Sequence, residues 1–182
     1  MSGLDGGPVP DFVAIDFETA NRSPRSAVAV ALVRVSGGEV AARRATFLRP
    51  PTRSYEFRKI HGIDAATVAE APNFATAWPE LSSLLRGVYF LAAHNAAFDM
   101  AVLRASCAHA GLVYPNRPWV CTLALARRIW ALAPAGLAHT CRHLGIPLQH
   151  HDPRSDAEAC ATIVKSAWTT DAGQAWLRPF RR

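Results

Sequence analysis

The sequence predicts an α/β fold in which a mixed central β-sheet is flanked by helices. Three observations support it: three strand-like segments come first, helical and short apolar segments then alternate, and half of the 182 residues are hydrophobic. Strands that are followed by alternating helices and strands are typical of a sheet covered by helices. A chain of this length can bury the core of one domain.

Three strands are predicted near the N-terminus. Phe12–Ile15 is apolar at consecutive positions, which is typical of a strand buried on both faces. Ala27–Val35 and Val40–Leu48 follow, and Gly37-Gly38 between them predicts a hairpin turn. Pro50-Pro51 ends the third strand because proline has no backbone N–H to donate.

The rest of the chain is predicted to alternate between two short strands and several helices. The strands are Val88–Ala92 and Trp119–Cys121. The helices are Ala75–Leu85, Ala96–Ala110, Leu123–Trp130, Gly136–Leu144 and Pro153–Trp168. Residues 12–169 are expected to form the domain, with a loose tail over residues 1–11 and a second tail over residues 170–182.

Composition limits the partners and the compartment. The net charge of +6 suits a polyanionic partner such as nucleic acid. No apolar run reaches the roughly 20 residues of a membrane span, and the N-terminus lacks a secretory h-region, so we expect a cytoplasmic protein without a membrane partner. The cysteines, expected to be reduced core residues rather than metal ligands, are Cys107, Cys121, Cys141 and Cys160.

Two acids stand directly after the first buried run. Asp16 and Glu18 share one face of the strand, while Phe17 points the other way, because side chains alternate along a strand. Adjacent carboxylates repel each other, and packing has no use for both. Taken alone, so short a pattern is more typical of a solvated strand end than of a metal site.

Two further acids stand near predicted helix starts. In the segment His94–Asp99, Asn95 is the predicted N-cap and Asp99 lies in the second turn; alone, this placement is explained by the helix dipole. Before the last predicted helix, Asp152 is the predicted N-cap. This makes His151 the N′ residue and Asp156 the N4 residue, two positions that meet at a helix entry.

Together, these acids predict a metal centre. They lie at the ends of three buried elements, and carboxylate oxygens suit Mg²⁺ or Mn²⁺. Two such ions about 3.5–4 Å apart can stabilise the attacking and leaving oxygens of a phosphodiester. A histidine beside them, with an ordinary pKa near neutrality, can take the proton from the attacking water.

The same segments resemble a known enzyme family. They are Phe12-Val-Ala-Ile-Asp-Phe-Glu-Thr19, Ile60-His-Gly-Ile63, Ala93-His-Asn-Ala-Ala-Phe-Asp99 and His151 with Asp156 five positions later. Over residues 12 to about 165, the chain resembles the DEDDh 3′–5′ exonucleases, whose type member is the proofreading epsilon subunit of bacterial DNA polymerase III. The resemblance implies an RNase H-like fold and hydrolysis from the 3′ end of DNA or RNA, with single-stranded ends preferred.

The resemblance also implies roles for individual residues. It makes Asp16, Glu18, Asp99 and Asp156 the ligands of two Mg²⁺ or Mn²⁺ ions, and His151 the general base. Substrate contacts are expected from Phe17 and Thr19, which follow the first acid, and from His61 and Asn95. A structural role for His61 in its loop is the equal alternative.

Several alternatives stay open. His150 is a rival base, but it lies six residues before Asp156, and in an extended approach to the helix it would point away from the site. A non-enzymatic alternative is a catalytically silent RNase H-like module that binds nucleic acid or a polymerase. The sequence does not separate DNA from RNA. The lack of a long segment after the catalytic domain argues against stable association with a polymerase.

Overall fold

The computed structural model of the protein describes residues 7–181, so the first six residues of the predicted N-terminal tail lie outside the described residues. Its strands are β1 Phe12–Thr19, β2 Ala27–Ser36, β3 Glu39–Phe47, β4 Phe90–Ala93 and β5 Trp119–Cys121. They form one sheet in the order β3-β2-β1-β4-β5. β2 is antiparallel to β1 and β3, whereas β4 is parallel to β1 and β5 is parallel to β4. The predicted mixed sheet is confirmed.

The helices cover both faces of this sheet. They are α1 Arg58–His61, α2 Phe74–Leu81, α3 Ala97–Ala110, α4 Thr122–Trp130, α5 Leu137–Leu144, α6 Pro153–Trp168 and α7 Asp171–Leu177. Helices α4 to α7 pack on the face that carries Phe12 and Ala14 of β1. Helices α2 and α3 pack on the face that carries Val13, Ile15 and Phe17. We call these the α6 face and the α3 face.

One predicted helix is shorter in the structure, and one helix was not predicted. The helix predicted over Ala75–Leu85 ends at Leu81, and Ser82–Leu85 continue as a 3₁₀ helix. Pro79 lies inside α2 and removes one backbone donor from it, which weakens the helix at this point. The four-residue helix α1, which the sequence did not indicate, is too short to show a helical period.

The segment predicted as a C-terminal tail forms α7. The side chain of Thr170 caps this helix by accepting the N–H of Gly173 at 3.0 Å, and Leu177 is fully buried in the core of the α6 face. A glycine inside seven residues weakens the helical signal of the sequence. The structure needs glycine there, because a Cβ atom would lie 1.9 Å from the carbonyl oxygen of Ala167.

None of the helices in the described part of the chain is long and apolar enough to cross a membrane.

Candidate active site

β1 carries the first two acids past the end of its parallel neighbour. Asp16 and Glu18 project to the α6 face, as predicted, but they lie within the strand rather than after it. The strand continues because β2 still pairs with it, with Asp16 opposite Ala31 and Glu18 opposite Ala29. β4, in contrast, pairs with β1 only as far as Ala14. The side of β1 beyond Ala14 is therefore open to other elements.

Asp99 fills part of this open side from the start of α3. Its Oδ1 accepts a hydrogen bond from the backbone N–H of Phe17 at 3.0 Å, which satisfies a buried donor. The predicted cap of α3 is wrong. Asn95 has a φ of 63°, in the left-handed region, and lies one residue before the cap position, which belongs to Ala96; Asp99 therefore lies in the first turn.

The turn before α6 brings Asp156 and two histidines to the same place. Asp152 caps the helix as predicted, accepting the backbone N–H of Arg154 at 3.0 Å. The backbone N–H of His151 donates to Oδ2 of Asp156 at 3.2 Å, and Nδ1 of His150 lies 3.0 Å from the same oxygen. Oδ2 of Asp156 is thus held by two partners, and its orientation is fixed.

The clustered acids fit a divalent metal centre. One oxygen from each of Asp16, Glu18 and Asp156 lies within 4.8 Å of the others. Two buried oxygens, Oδ2 of Asp16 and Oδ1 of Asp156, have no hydrogen-bond partner among the described residues. A buried charged oxygen without a partner is costly, and a hard cation such as Mg²⁺ or Mn²⁺ is the partner that suits it.

Burial raises the pKa of each of these acids, and repulsion by neighbouring carboxylates adds to the effect at Asp16, Glu18 and Asp99. Burial, followed by the carboxylates of Asp99, Asp156 and Glu18, holds the pKa of Asp16 well above its usual range. Burial and Asp156 raise the pKa of Glu18 from 4.5 to about 7. Burial also raises the pKa values of Asp99 and Asp156, against the lowering effect of their hydrogen bonds. The cluster therefore resists full ionisation unless a cation joins it.

The predicted direction of His150 is wrong. The rings of His150 and His151 stack, with centroids 3.9 Å apart and planes 15° apart. The prediction assumed an extended backbone, but His151 has a φ of 68°, and a turn is closed by the N–H of Asp152 donating to the carbonyl of Gln149. His150 consequently contacts Asp156 with its ring, whereas Nδ1 of His151 lies 3.9 Å from Oε1 of Glu18.

The residues predicted to contact substrate occupy different environments. The side chains of Phe17 and Thr19 are buried, and the ring of Phe17 packs in the core of the α3 face, so nucleotide contacts from these two residues are limited to their backbone. His61 accepts the N–H of Ile63 at Nδ1, so Nε2 carries the proton and donates to the carbonyl of Thr19 at 3.0 Å. Asn95 is exposed.

A cavity of about 430 Å³ opens beside the histidines, between the end of β3, α1 and the turn before α6. His151 and His61 form part of its wall, together with the cationic Arg154. Phe47 and Ile60 also line it, and they are 45% and 51% exposed, which is high for large apolar side chains. An apolar surface next to a cation and an acidic cluster suits a nucleotide, whose base is flat and whose phosphate is charged.

The sequence indicated no role for His94. In the structure, this residue follows β4 and contacts residues next to β5 and α5. Nε2 of His94 donates to the carbonyl of Ala135 at 3.0 Å, so Nδ1 accepts the hydroxyl of Thr122 at 2.9 Å. Burial lowers the pKa of His94 to about 4, which keeps the ring neutral and this arrangement intact. His94 thereby fastens the loop before α5 to the ends of β4 and β5.

The family model for exonucleases matches residues 13–164, which include every predicted acid and both histidines of the turn. The chain belongs to the exonuclease family. This confirms the resemblance to the DEDDh exonucleases and the predicted class of enzyme, a metal-dependent nuclease.

Curated relatives of this exonuclease domain are much longer proteins. A DNA polymerase III PolC-type from Bacillus cereus is 32% identical over 158 residues, which are 84% of this chain and 11% of the relative. The 3′–5′ exonuclease DinG from Bacillus subtilis is 28% identical over 158 residues, 83% of this chain and 16% of the relative. The chain thus spans only about a tenth to a sixth of the length of these relatives.

Solved exonuclease structures share the fold. Exonuclease X in complex with 5′-overhanging duplex DNA is 25% identical, with a TM-score of 0.68 over 90% of this chain and 96% of that chain. Exonuclease I from E. coli, in complex with a dA13 oligonucleotide, is 19% identical, with a TM-score of 0.77 over 93% of this chain and 43% of that chain. These likenesses confirm the predicted RNase H-like fold.

Proposed function

We propose that this exonuclease domain removes nucleotides one at a time from the 3′ end of single-stranded DNA, releasing nucleoside 5′-monophosphates with the help of two Mg²⁺ or Mn²⁺ ions. The observation that carries the proposal is the pair of buried oxygens on Asp16 and Asp156, which have no hydrogen-bond partner in the described part of the chain and lie next to Glu18 and His151. The direction of digestion is supported by the Bacillus subtilis relative, which is described as a 3′–5′ exonuclease. A DNA substrate is supported by the DNA-bound structure of exonuclease X.

Asp16, Glu18, Asp99 and Asp156 would hold the ions. When bound, the ions would neutralise the charge that develops on the attacking and leaving oxygens of the phosphodiester. Burial raises the pKa values of the four carboxylates, repulsion between them adds to this at Asp16, Glu18 and Asp99, and the ionised carboxylates would also repel a phosphate. The same repulsion that makes the empty cluster unfavourable therefore makes activity depend on the cation.

We assign the general base to His151. Its side chain is 41% exposed, and it lines the cavity on the side of Glu18. Burial and the neighbouring ring of His150 lower the pKa of His151, so that its neutral form, which can accept a proton from water, predominates at neutral pH. His150 instead uses Nδ1 on Asp156, and we assign it to the orientation of that carboxylate.

The cavity wall supports the proposed preference for frayed or single-stranded ends. Phe47 and Ile60 offer apolar contacts to an unpaired base, and Arg154 offers a cation to the backbone. Asp16 is recessed in β1, so the scissile phosphate must approach closely, without a partner strand in the way. Because the chain is basic and contacts to the backbone are ionic, binding should weaken strongly as salt rises.

The test is digestion of a 5′-labelled DNA oligonucleotide with Mg²⁺ or Mn²⁺. Wild type should produce a ladder that shortens from the 3′ end by single nucleotides, and excess chelator should stop it. Asp16→Asn removes a ligand at nearly constant volume and should abolish cutting while the protein stays folded. Asp171→Asn, at the exposed start of α7, is the matched control and should cut like wild type.

Two further arms separate the alternatives. A 3′-phosphate block should slow an exonuclease, whereas cutting at internal positions would show an endonuclease instead. An RNA oligonucleotide of the same sequence tests the DNA preference. Binding without cutting, with either metal and either nucleic acid, would support the catalytically silent module and would disprove the proposed activity.

A further inference from the structure

A second cavity lies near the same strand ends as the acids, the end of β1 and the start of β2, but on the other face of the sheet. It has a volume of about 460 Å³ and lies between the start of β2, the segment after β3, the start of α2 and the end of α3. Ala27 lines it and pairs with Thr19, the residue after Glu18. Because Ala27 belongs to the core of the α3 face, the sheet separates this cavity from the acidic cluster.

The lining of the cavity is cationic. Arg25 and Arg49 line it and are exposed, and neither forms an ion pair with any residue that the structure describes. Among the described residues, the Arg49 guanidinium forms one hydrogen bond, from Nη1 to the carbonyl of Ala69, and at 3.3 Å this bond is long. His109 also lines the cavity, and the described lining residues include no acid. The site therefore carries positive charge that no ion pair within residues 7–181 neutralises.

The start of α2 adds backbone donors to the same wall. Asn73, Phe74 and Ala75 are the N-cap and the first two residues of this eight-residue helix, and all three line the cavity. The first N–H groups of a helix have no partner within it, and they lie at the positive end of the helix dipole. Asn73 uses Oδ1 to accept the N–H of Thr76 at 2.9 Å, which leaves its amide N–H groups as donors.

Ser106 is an independent sign of a ligand. This residue of α3 lines the cavity and is 4% exposed, and its Oγ is buried without a hydrogen-bond partner among the described residues. A buried hydroxyl without a partner loses its hydrogen bonds to water and gains none in return. The Oγ is closed to solvent in the observed orientation, and rotation of the side chain about χ1 toward the cavity would let a bound oxyanion supply the missing acceptor.

We propose that this cavity binds a phosphate group. Guanidinium, amide, hydroxyl and helix N-terminal donors converge on it, and each can donate to a phosphate oxygen. The phosphate could belong to the backbone of a strand that crosses the sheet edge upstream of its 3′ end, or to a free nucleotide. The binding of a phosphate group does not depend on the proposed function, because the same donors would hold a phosphate from either source. Only the identity of the source, a DNA strand or a nucleotide, rests on the proposed function.

The experiment measures binding by calorimetry in excess chelator, so that no cleavage occurs. The probes are inorganic phosphate, thymidine 5′-monophosphate, and dT3 and dT10 oligonucleotides. Arg49→Gln and Arg25→Gln should each weaken binding about tenfold, since a hydrogen bond to a charged group contributes on that order. Ser106→Ala should weaken it less. Arg117→Gln, an exposed arginine outside the cavity, removes the same charge and should not weaken it.

The pattern of losses identifies the source of the phosphate. A loss confined to dT10 identifies an upstream backbone phosphate, whereas a loss for thymidine monophosphate identifies a free nucleotide. If Arg25→Gln and Arg49→Gln bind all the probes as tightly as Arg117→Gln does, the cavity is not a phosphate site. This result is independent of catalysis: a wild type that binds phosphate but cuts no oligonucleotide with metal would overturn the proposed function alone.

Discussion

Glu18→Gln should stabilise the metal-free protein at neutral pH and leave its stability unchanged near pH 4. The Glu18 side chain is 13% exposed, and burial and Asp156 raise its pKa from 4.5 to about 7. Between these pH values, the folded state keeps a proton that the unfolded state has lost. The folded state is therefore progressively disfavoured as pH rises from about 4.5 to about 7, and the penalty stays constant above that range.

The size of the effect follows from the two pKa values. A tenfold change in acidity corresponds to about 1.4 kcal/mol, so the full penalty on Glu18 is roughly 3 kcal/mol. Glutamine carries no charge, so the free energy of unfolding of Glu18→Gln should exceed that of wild type by roughly 3 kcal/mol at pH 8. Near pH 4 the two should agree. The opposite pH dependence of His94 is present in both proteins and cancels in the difference. Loss of the Glu18 charge also relieves its repulsion on Asp16 and Asp99, which acts in the same direction and adds to the stability of the variant at neutral pH.

The assay is urea denaturation between pH 4 and pH 8 in chelator, followed by tryptophan fluorescence. Glu70→Gln is the control, since it makes the same substitution at an exposed position and should track wild type. Added Mg²⁺ should stabilise wild type more than Glu18→Gln, because the variant lacks one ligand. Equal stabilities of wild type and Glu18→Gln at pH 8 in chelator would refute the reasoning, and so would a difference that is already complete at pH 4.

Two further predictions concern the histidines. His151→Ala should lower the single-turnover cleavage rate roughly 10²–10⁴-fold, while DNA binding persists. The cleavage rate of this variant should also lose the pH dependence that the titration of His151 gives to wild type. A normal rate for His151→Ala with an inactive His150→Ala would reverse the assignment of the base. His94→Ala should destabilise the protein by about 2 kcal/mol at pH 7 in urea denaturation, because two hydrogen bonds are lost. Since burial lowers the pKa of His94 to about 4, this advantage of wild type should shrink as pH falls from about 6.5 to about 4, and a constant difference would contradict it.

Elements with strong local signals could be predicted from the sequence. α6 was predicted with its observed bounds, Pro153–Trp168, because Asp152 and Pro153 define its start and buried residues recur along its length. The predicted N-cap of α3 failed although asparagine is a good cap, since Asn95 adopts the left-handed conformation that this residue type also tolerates. α7 and α1 are too short for a period to appear.

The sequence predicted that the acids lie close together, but not the contacts that they form. Alternation along a strand placed Asp16 and Glu18 on one face, and the structure agrees. The bond from Phe17 to Asp99 depends on β4 ending early, which only the assembled sheet reveals. The contact between His150 and Asp156 depends on the positive φ of His151, and the sequence alone gives no signal for that backbone conformation.

The carboxylates in this cluster must be buried in a stable fold and must also keep oxygens free for a cation, and these two requirements conflict in the metal-free protein. Asp156 has one oxygen held by His150 and by the backbone of His151, while its other oxygen is buried without a hydrogen-bond partner among the described residues. The two hydrogen bonds restrain rotation of the carboxylate, and the other oxygen keeps its lone pairs available for a cation. Hydrogen bonds to one oxygen therefore position the other for a cation, as a preorganised site requires. The buried oxygens without partners and the raised pKa values lower the free energy of unfolding of the metal-free protein. Substitutions that stabilise the metal-free protein by removing a carboxylate, such as Glu18→Gln, should therefore also remove metal-dependent cleavage.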